Sequence, residues 1–575
     1  MNLHKFFTTA TPIRFWFYLS LGFAVICGIL GIIPAFSSEY VVQDDARSHV
    51  FWMARFLNPQ LFPQDIIADY FQSVAPAGYT YFYQLFSVIG IQPLLLNKLL
   101  PIILGLITTA YCFGVVMEIL PVPLAGFLST LFLNQNLWLK DDLISATPRA
   151  FFYPLFLAFL YYFLRLSWLG VGLAIALIGL FYPQGVLLCV AVLVLDFLRF
   201  RNRQKFIILA IGCCTAFFVL LPYALNASEY SPIITLAEAQ KLPEFWPGGR
   251  ASFFSDNSFD FWLTGDRSGI IPPEWLSKFF LPPQVWAGLL LLIFLSSNYF
   301  PQAKKVTHKI ILLPELALAS TGIFLAAHFF LFRLHHPSRY SQHSLRIIMA
   351  IAGGIAFTLM IDFVRQKFHL LNHPSKIKSV GKIQTISIYI VLTLLLLYPA
   401  LTNNFPVTNY VVGKVPQLYE YLAKQPPDIR IASLALEANN IPTFAKRSIL
   451  VGSEYALPYH QGYYAEIKRR ASDLIQAQYS PNFELVKNFI RKYEIDFWLL
   501  DSQALTLEYV SKNHRIAQLN AIAAAEVKIK MRNGNIPVLL SLLKSCQVLD
   551  INDLVLLDAK CISSWQQETR KLHSL

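Results

Sequence analysis

Two adjacent carboxylates, Asp44 and Asp45, lie in Tyr40-Val-Val-Gln-Asp-Asp-Ala-Arg-Ser-His49, just after the first long apolar run. A carboxylate so placed can act as general base toward a hydroxyl. It can equally cap the helix that the next residues begin, accepting the free N–H groups of the first turn. A cap accounts for one aspartate. It does not account for a pair beside a membrane surface, where like charges repel and desolvation is costly.

A second pair, Asp141-Asp142, follows Lys140 and precedes Thr147-Pro-Arg149. Proline there suits a helix start. The plain alternative is a charged loop with a snorkelling arginine. A third cluster is Arg333-Leu-His-His-Pro-Ser-Arg-Tyr-Ser-Gln-His343. Arg339, with His335, His336 or His343, has the donors to hold a phosphate or pyrophosphate. The alternative is an interfacial loop meeting lipid phosphates. Arg447 and the aromatic run Glu454-Tyr-Ala-Leu-Pro-Tyr-His-Gln-Gly-Tyr-Tyr464 suit either sugar stacking or a core. The sequence has no glycine-rich phosphate loop, no hydrolase nucleophile–base signature and no Cys/His zinc spacing.

These clusters fall between apolar runs. Of 575 residues 55% are apolar and 14% charged, against roughly 25% charged in soluble proteins. With a mean hydropathy of +0.49, this describes a polytopic α-helical membrane protein. The run 15–33 has no cleavage site after it and reads as a retained first helix. Candidate spans are 15–33, 94–117, 122–138, 149–165, 169–182, 185–199, 206–226, 283–297, 311–332, 343–364 and 383–401, about eleven transmembrane helices in all. Lys/Arg concentrate in alternate loops, which puts the N-terminus in the cytoplasm and the tail outside it. The net charge of +13 is explained by those loops rather than by nucleic acid.

The outer loops 34–93 and 227–282 are long. In the first, residues 46–57 carry Val50, Met53, Ala54 and Leu57 at helical spacing, which predicts an amphipathic helix on the membrane surface. Residues 76–86 read as an interfacial or re-entrant piece. The membrane part is 1–403. The tail, 404–575, has buried-strand patterns at 429–434, 448–451 and 495–500 and helical ones at 457–479 and 482–493. It is expected to be a soluble extracytoplasmic α/β domain. Cys546 and Cys561 lie in it and can pair if it is extracytoplasmic.

The layout resembles the C-type (GT-C) membrane glycosyltransferases, which include oligosaccharyltransferase catalytic subunits, protein O-mannosyltransferases and aminoarabinose transferases. The resemblance is carried by Asp44-Asp45 and the segment 46–57, by the aromatic piece 79–86, and by Asp141-Asp142. The outer tail adds Asn440-Ile-Pro-Thr-Phe-Ala-Lys-Arg-Ser-Ile-Leu450 and Tyr493-Glu-Ile-Asp-Phe-Trp-Leu-Leu500. The WWDYG-type peptide motif of oligosaccharyltransferases is missing. The resemblance implies a polyprenyl-phosphate-linked sugar as donor and a glycan, lipid or protein as acceptor, at the outer face of a bacterial inner membrane. Asp44 or Asp45 would be the catalytic base, with Asp45 favoured because it begins the helix. Asp141, Asp142, Arg149, His335, His336, Arg339 and Tyr340 would bind substrate, Arg339 holding the leaving phosphate and Tyr340 anchoring it. No cofactor is required, although paired carboxylates suit Mg²⁺ or Mn²⁺. Two other readings are open: a transporter or lipid-handling protein, and a non-catalytic relative that binds envelope glycan.

Overall fold

The computed structural model describes residues 12–225, 228–276, 281–296, 300–371, 390–402 and 405–565. Helices coincide with the candidate spans wherever residues are described; 226, 297 and 383–389 lie outside them. Among the described residues, Ile13–Phe36, Pro93–Ile119, Arg203–Leu225, His308–Phe329 and Ser338–Val364 are long and apolar enough to cross a membrane. Others are shorter, such as Trp168–Phe181 with 14 residues, which at 1.5 Å per residue reaches only about 21 Å. The outer faces carry exposed Tyr18, Ile26, Phe217, Phe218, Leu292 and Leu325. So much apolar surface suits lipid, and the chain is a membrane protein.

Pro123–Leu137 behaves differently. All its residues after Pro123 are buried, so it is a central strut rather than a lipid-facing span. Several of its polar residues bond internally: Asn134 Nδ2 donates to Thr109 Oγ1 at 2.9 Å and Trp275 Nε1 to Asn136 Oδ1 at 2.8 Å. The helix Ser338–Leu371 packs against it through Gly354, whose missing Cβ would lie 2.6 Å from Ser129 Cα. Backbones approach this closely only where a side chain is absent. That contact seats the helix carrying Arg339, His343 and Arg346.

The segment 46–57 corrects the surface-helix expectation. Ala46–His49 is a single α-turn and Phe51–Phe56 a 3₁₀ helix. Ala46, Val50, Phe51, Trp52 and Met53 are all at most 2% exposed. The residues opposite the expected apolar face are therefore as buried as that face. Tail residues cover them, with Tyr455 tilted against Phe51 at 5.5 Å between ring centroids.

Two sheets complete the fold. Strand β1 (Val41–Gln43) pairs antiparallel with β2 (Tyr410–Val412), in register Val41↔Val412 and Gln43↔Tyr410. This straps the acidic pair to the chain that follows the last helix. Beyond it, β3 (Arg430–Ser433), β4 (Ser448–Ile449), β5 (Phe497–Asp501), β6 (Gln547–Ile551) and β7 (Leu554–Asp558) form one sheet in the order β4-β3-β5-β7-β6. Strands β4, β3 and β5 are parallel, and β7 and β6 antiparallel. Cys546 and Cys561 form a disulfide beside this hairpin.

Gly354→Ala is expected to lower stability by about 1–3 kcal/mol, because the new methyl meets backbone. Gly22→Ala, with nothing within 4 Å of its Cβ position, is expected to cost nothing. Thermal unfolding of both variants in detergent checks the contrast.

Candidate functional site

The site begins at Gln43, the last residue of β1 and fully buried. Its Oε1 accepts the Asp45 backbone N–H at 2.9 Å, and its Nε2 donates to Asp141 Oδ2 at 3.3 Å. One amide thus sets the separation of the two acidic pairs. Asp45 stands at the N-cap position of its short helix, yet its side chain makes no capping bond. It turns instead to the Arg149 guanidinium. The capping reading therefore fails for Asp45, because a charge partner outcompetes neutral backbone donors.

Arg149 lies in the tight turn Pro148–Phe151. Besides Asp45 it meets Asp141 and Asp142, each at 3.2 Å. Asp142 also receives Arg339, His343 and Arg346, each at 3.4 Å, and the Tyr153 hydroxyl at 3.1 Å. Asp141 takes a further bond from Asn409 Nδ2 at 3.1 Å. Four distant stretches, 43–45, 141–149, 339–346 and 409, thereby meet in one charge network.

Exposure separates the roles within it. The side chains of Asp142 and Asp141 are 1% and 12% exposed, and protein donors surround both. In this arrangement their oxygens are spent on the arginines around them. Asp45, Asp44 and Arg339 are 32%, 41% and 20% exposed and are the open members. Asp44 points away from Arg149, to Arg47. Tyr340 does not join: its hydroxyl donates to the Leu334 carbonyl at 2.7 Å, closing the turn before its helix. Arg447 is likewise spent on backbone carbonyls, such as that of Ala423 at 2.8 Å, and Tyr455 and Tyr463 are core.

The local field follows from this geometry. Burial works to raise the Asp45 carboxyl, but Arg149, His49, Arg339 and Arg250 together hold it below its usual range. Asp142 is buried too, and Arg149 and His343 with Arg346 hold it far below. Burial, with Arg339 and Arg267, pushes His335 down to about 3 and His336 down as well. Both histidines are therefore neutral and offer N–H groups rather than charge. Arginines supply the cations that contact Asp45 and Asp142.

The sequence reading missed several residues. Arg47 bridges Asp44 and Glu454, the latter at 3.0 Å, and Arg250 also binds Glu454. Arg346 joins Asp142 to Glu274. Arg47–Glu454 spans 407 residues of chain, so no local spacing pointed to it.

The donor set does not fit Mg²⁺ or Mn²⁺. Three of the four carboxylates share Arg149, whose charge takes the place a divalent ion would need. Among the described residues no three His, Cys, Asp or Glu side chains gather as ligands.

No family model matches the chain, and no curated protein matches it in sequence. Among solved structures it is similar to the oligosaccharyltransferase AglB of Archaeoglobus fulgidus in complex with an inhibitory peptide and a dolichol-phosphate. The identity is 12%, over 89% of this chain and 72% of that one, with a TM-score of 0.50. ArnT of Cupriavidus metallidurans is also similar, at 12% identity, 96% and 99% coverage and a TM-score of 0.48. Both are GT-C proteins. At this identity the likeness to AglB carries the fold alone: the chain has a GT-C-like fold.

Asp142→Ala is expected to destabilise by about 3–5 kcal/mol, since it strands buried arginines. Asp44→Ala, at an open ion pair, should cost at most about 1 kcal/mol. Melting temperatures in detergent distinguish the two.

Glu454 gives a pH signature. Burial raises it from its ordinary 4.5 to about 7; Arg250 and Arg47 oppose the rise, and Asp44 and Asp45 add to it. Between those values the folded protein holds a proton that the unfolded chain has released, so rising pH favours unfolding. Wild-type stability relative to Glu454→Gln should fall from pH 4.5 to about 7, and melting curves across that window check it. The depressed aspartates act separately, below their ordinary 3.8.

Proposed function

We propose that the chain is a membrane glycosyltransferase that moves a sugar from a polyprenyl-phosphate donor to an acceptor hydroxyl at the outer membrane face. The observation that carries this is Asp45: an open carboxylate, held ionised by Arg149, on the same network as the partly open cation Arg339. The GT-C-like fold supports the reading, since similarly folded AglB is seen with a dolichol-phosphate and a peptide.

In this reading Asp45 accepts the acceptor's hydroxyl proton as that oxygen attacks the anomeric carbon. The bond from that carbon to the phosphate oxygen breaks, and the electron pair leaves with the polyprenyl phosphate. Arg339 holds the leaving phosphate by charge-assisted hydrogen bonds, where the developing negative charge is greatest. His335 and His336 add neutral N–H donors. A single displacement inverts the anomeric centre. Asp44 keeps Arg47 in place and leaves Asp45 as base.

Orientation belongs to the same proposal. About eleven helices cross the bilayer, the N-terminus is cytoplasmic, and the tail, described over 405–565, is an extracytoplasmic α/β domain on the five-stranded sheet. Lys/Arg placement supports this. So does the Cys546–Cys561 disulfide, because such bonds persist in oxidising compartments.

Asp45→Asn should fold normally and lower sugar transfer from a polyprenyl-phosphate donor by about 10²–10⁴-fold, with Asp44→Asn losing less. Transfer is measured in reconstituted membranes with radiolabelled donor. Full transfer by Asp45→Asn would remove Asp45 as the base.

A further inference from the structure

Beside the acidic network lies a cavity of about 320 Å³ that no role above uses. It sits between the outer loop, at Glu244, Gly248, Gly249 and Arg250, and the tail, at Leu436, Asn439, Ser453 and Glu454. Its volume falls at the low end of the ~300–1,000 Å³ typical of small-molecule sites.

Two lining residues keep buried polar atoms without a hydrogen-bond partner: Arg47 Nε, a donor, and Glu244 Oε2, an acceptor. The residues are only 8% and 7% exposed. Such orphans are costly in a folded protein and point to a ligand or ordered water.

The arginines here already have carboxylate partners. Arg47 pairs with Asp44 and Glu454, and Arg250 with Glu454. An anion entering would meet Glu244 and Glu454, and a cation would meet two arginines. The remaining polar groups of the wall are neutral: Asn439, Ser453 and Gln518. Asn439 and Ser453 are held together at 3.0 Å, and Gln518 bonds the Gly248 carbonyl at 2.7 Å. Hydroxyl groups, which donate and accept at one atom, suit such a wall. Leu436, Ala456 and Leu519 supply apolar surface for C–H faces.

We infer that this cavity binds a neutral, hydroxyl-rich saccharide, the acceptor glycan, and presents one of its hydroxyls toward Asp44 and Asp45. The link is direct, because Arg47 lines the cavity and bonds Asp44. The inference rests on the transferase reading for the word acceptor; the binding itself does not.

The test uses the full-length protein in lipid nanodiscs and a panel of neutral methyl glycosides as probes, read by saturation-transfer NMR. Leu436→Trp, at a rim residue 47% exposed, and Ser453→Trp, deeper in, plug the cavity. Saturation transfer to at least one glycoside on the wild type, reduced to background in a folded plug variant and kept in Asp45→Asn, is the expected result. Three outcomes overturn the assignment: no glycoside binding to the wild type, unchanged binding in both plug variants, or binding only of a serine/threonine peptide run as a control. Release of polyprenyl phosphate from a lipid-linked sugar, followed on the same wild-type samples, reports separately. Its absence sinks the transferase reading while leaving a saccharide site standing.

Discussion

The guanidinium of Arg149 is the contact on which the site depends. Asp45, Asp141 and Asp142 converge on it from two chain segments about a hundred residues apart. Two like charges 4 Å apart repel by about 4 kcal/mol at an effective dielectric of 20. A fixed cation among three such carboxylates offsets that repulsion. A lysine would supply charge without the planar fork that reaches several carboxylates at once. Arg149 stands in a turn opened by Pro148, so its backbone is committed before its side chain is.

Around that contact the acidic residues divide by depth. Asp142 is sealed by three arginines, a histidine and a tyrosine, and so ties Arg339 and Arg346 to Arg149. Asp45 shares the same arginine but retains about a third of its surface. Burial, rather than residue type, distinguishes the sealed carboxylate from the open one. The same division explains Tyr340, which has a suitable hydroxyl but spends it on the Leu334 carbonyl.

Much of the fold was legible in the residues. Helix positions followed the apolar runs because burial in a bundle and burial in lipid both select the same residues. That equivalence is also why hydropathy could not tell the central strut Pro123–Leu137 from a lipid-facing span. Strands β3, β4 and β5 stood out as short apolar runs. Strands β1 and β2 did not, being three residues each and dependent on a partner more than 360 residues away, as Val42 pairs Val411. Strand β6 is largely exposed and lacks a buried face to read. The segment 46–57 misled because helical spacing reveals one apolar face and says nothing of what covers the other. At the site, Asp45, Arg149 and Arg339 were legible by type, whereas Arg47, Arg250 and Glu454 owe their places to long-range ion pairs.

Those long-range pairs carry a mechanical consequence. The stretch bearing the acidic pair is held to later parts of the chain by backbone as well as charge. Asp44 N–H donates to the Asn409 carbonyl at 3.1 Å, and Gly413 N–H to the Tyr40 carbonyl at 2.8 Å. Arg47 then ties Asp44 to Glu454, and Tyr455 donates to the Arg47 carbonyl at 3.3 Å. A group that entered beside Glu454 and competed for Arg47 would therefore disturb the ion pair that Arg47 makes with Asp44. Asp45, fixed independently through Gln43 and Arg149, keeps its position meanwhile. Occupancy of the outer cavity would thus perturb Asp44 while leaving Asp45 in place, as the proposed acceptor role requires.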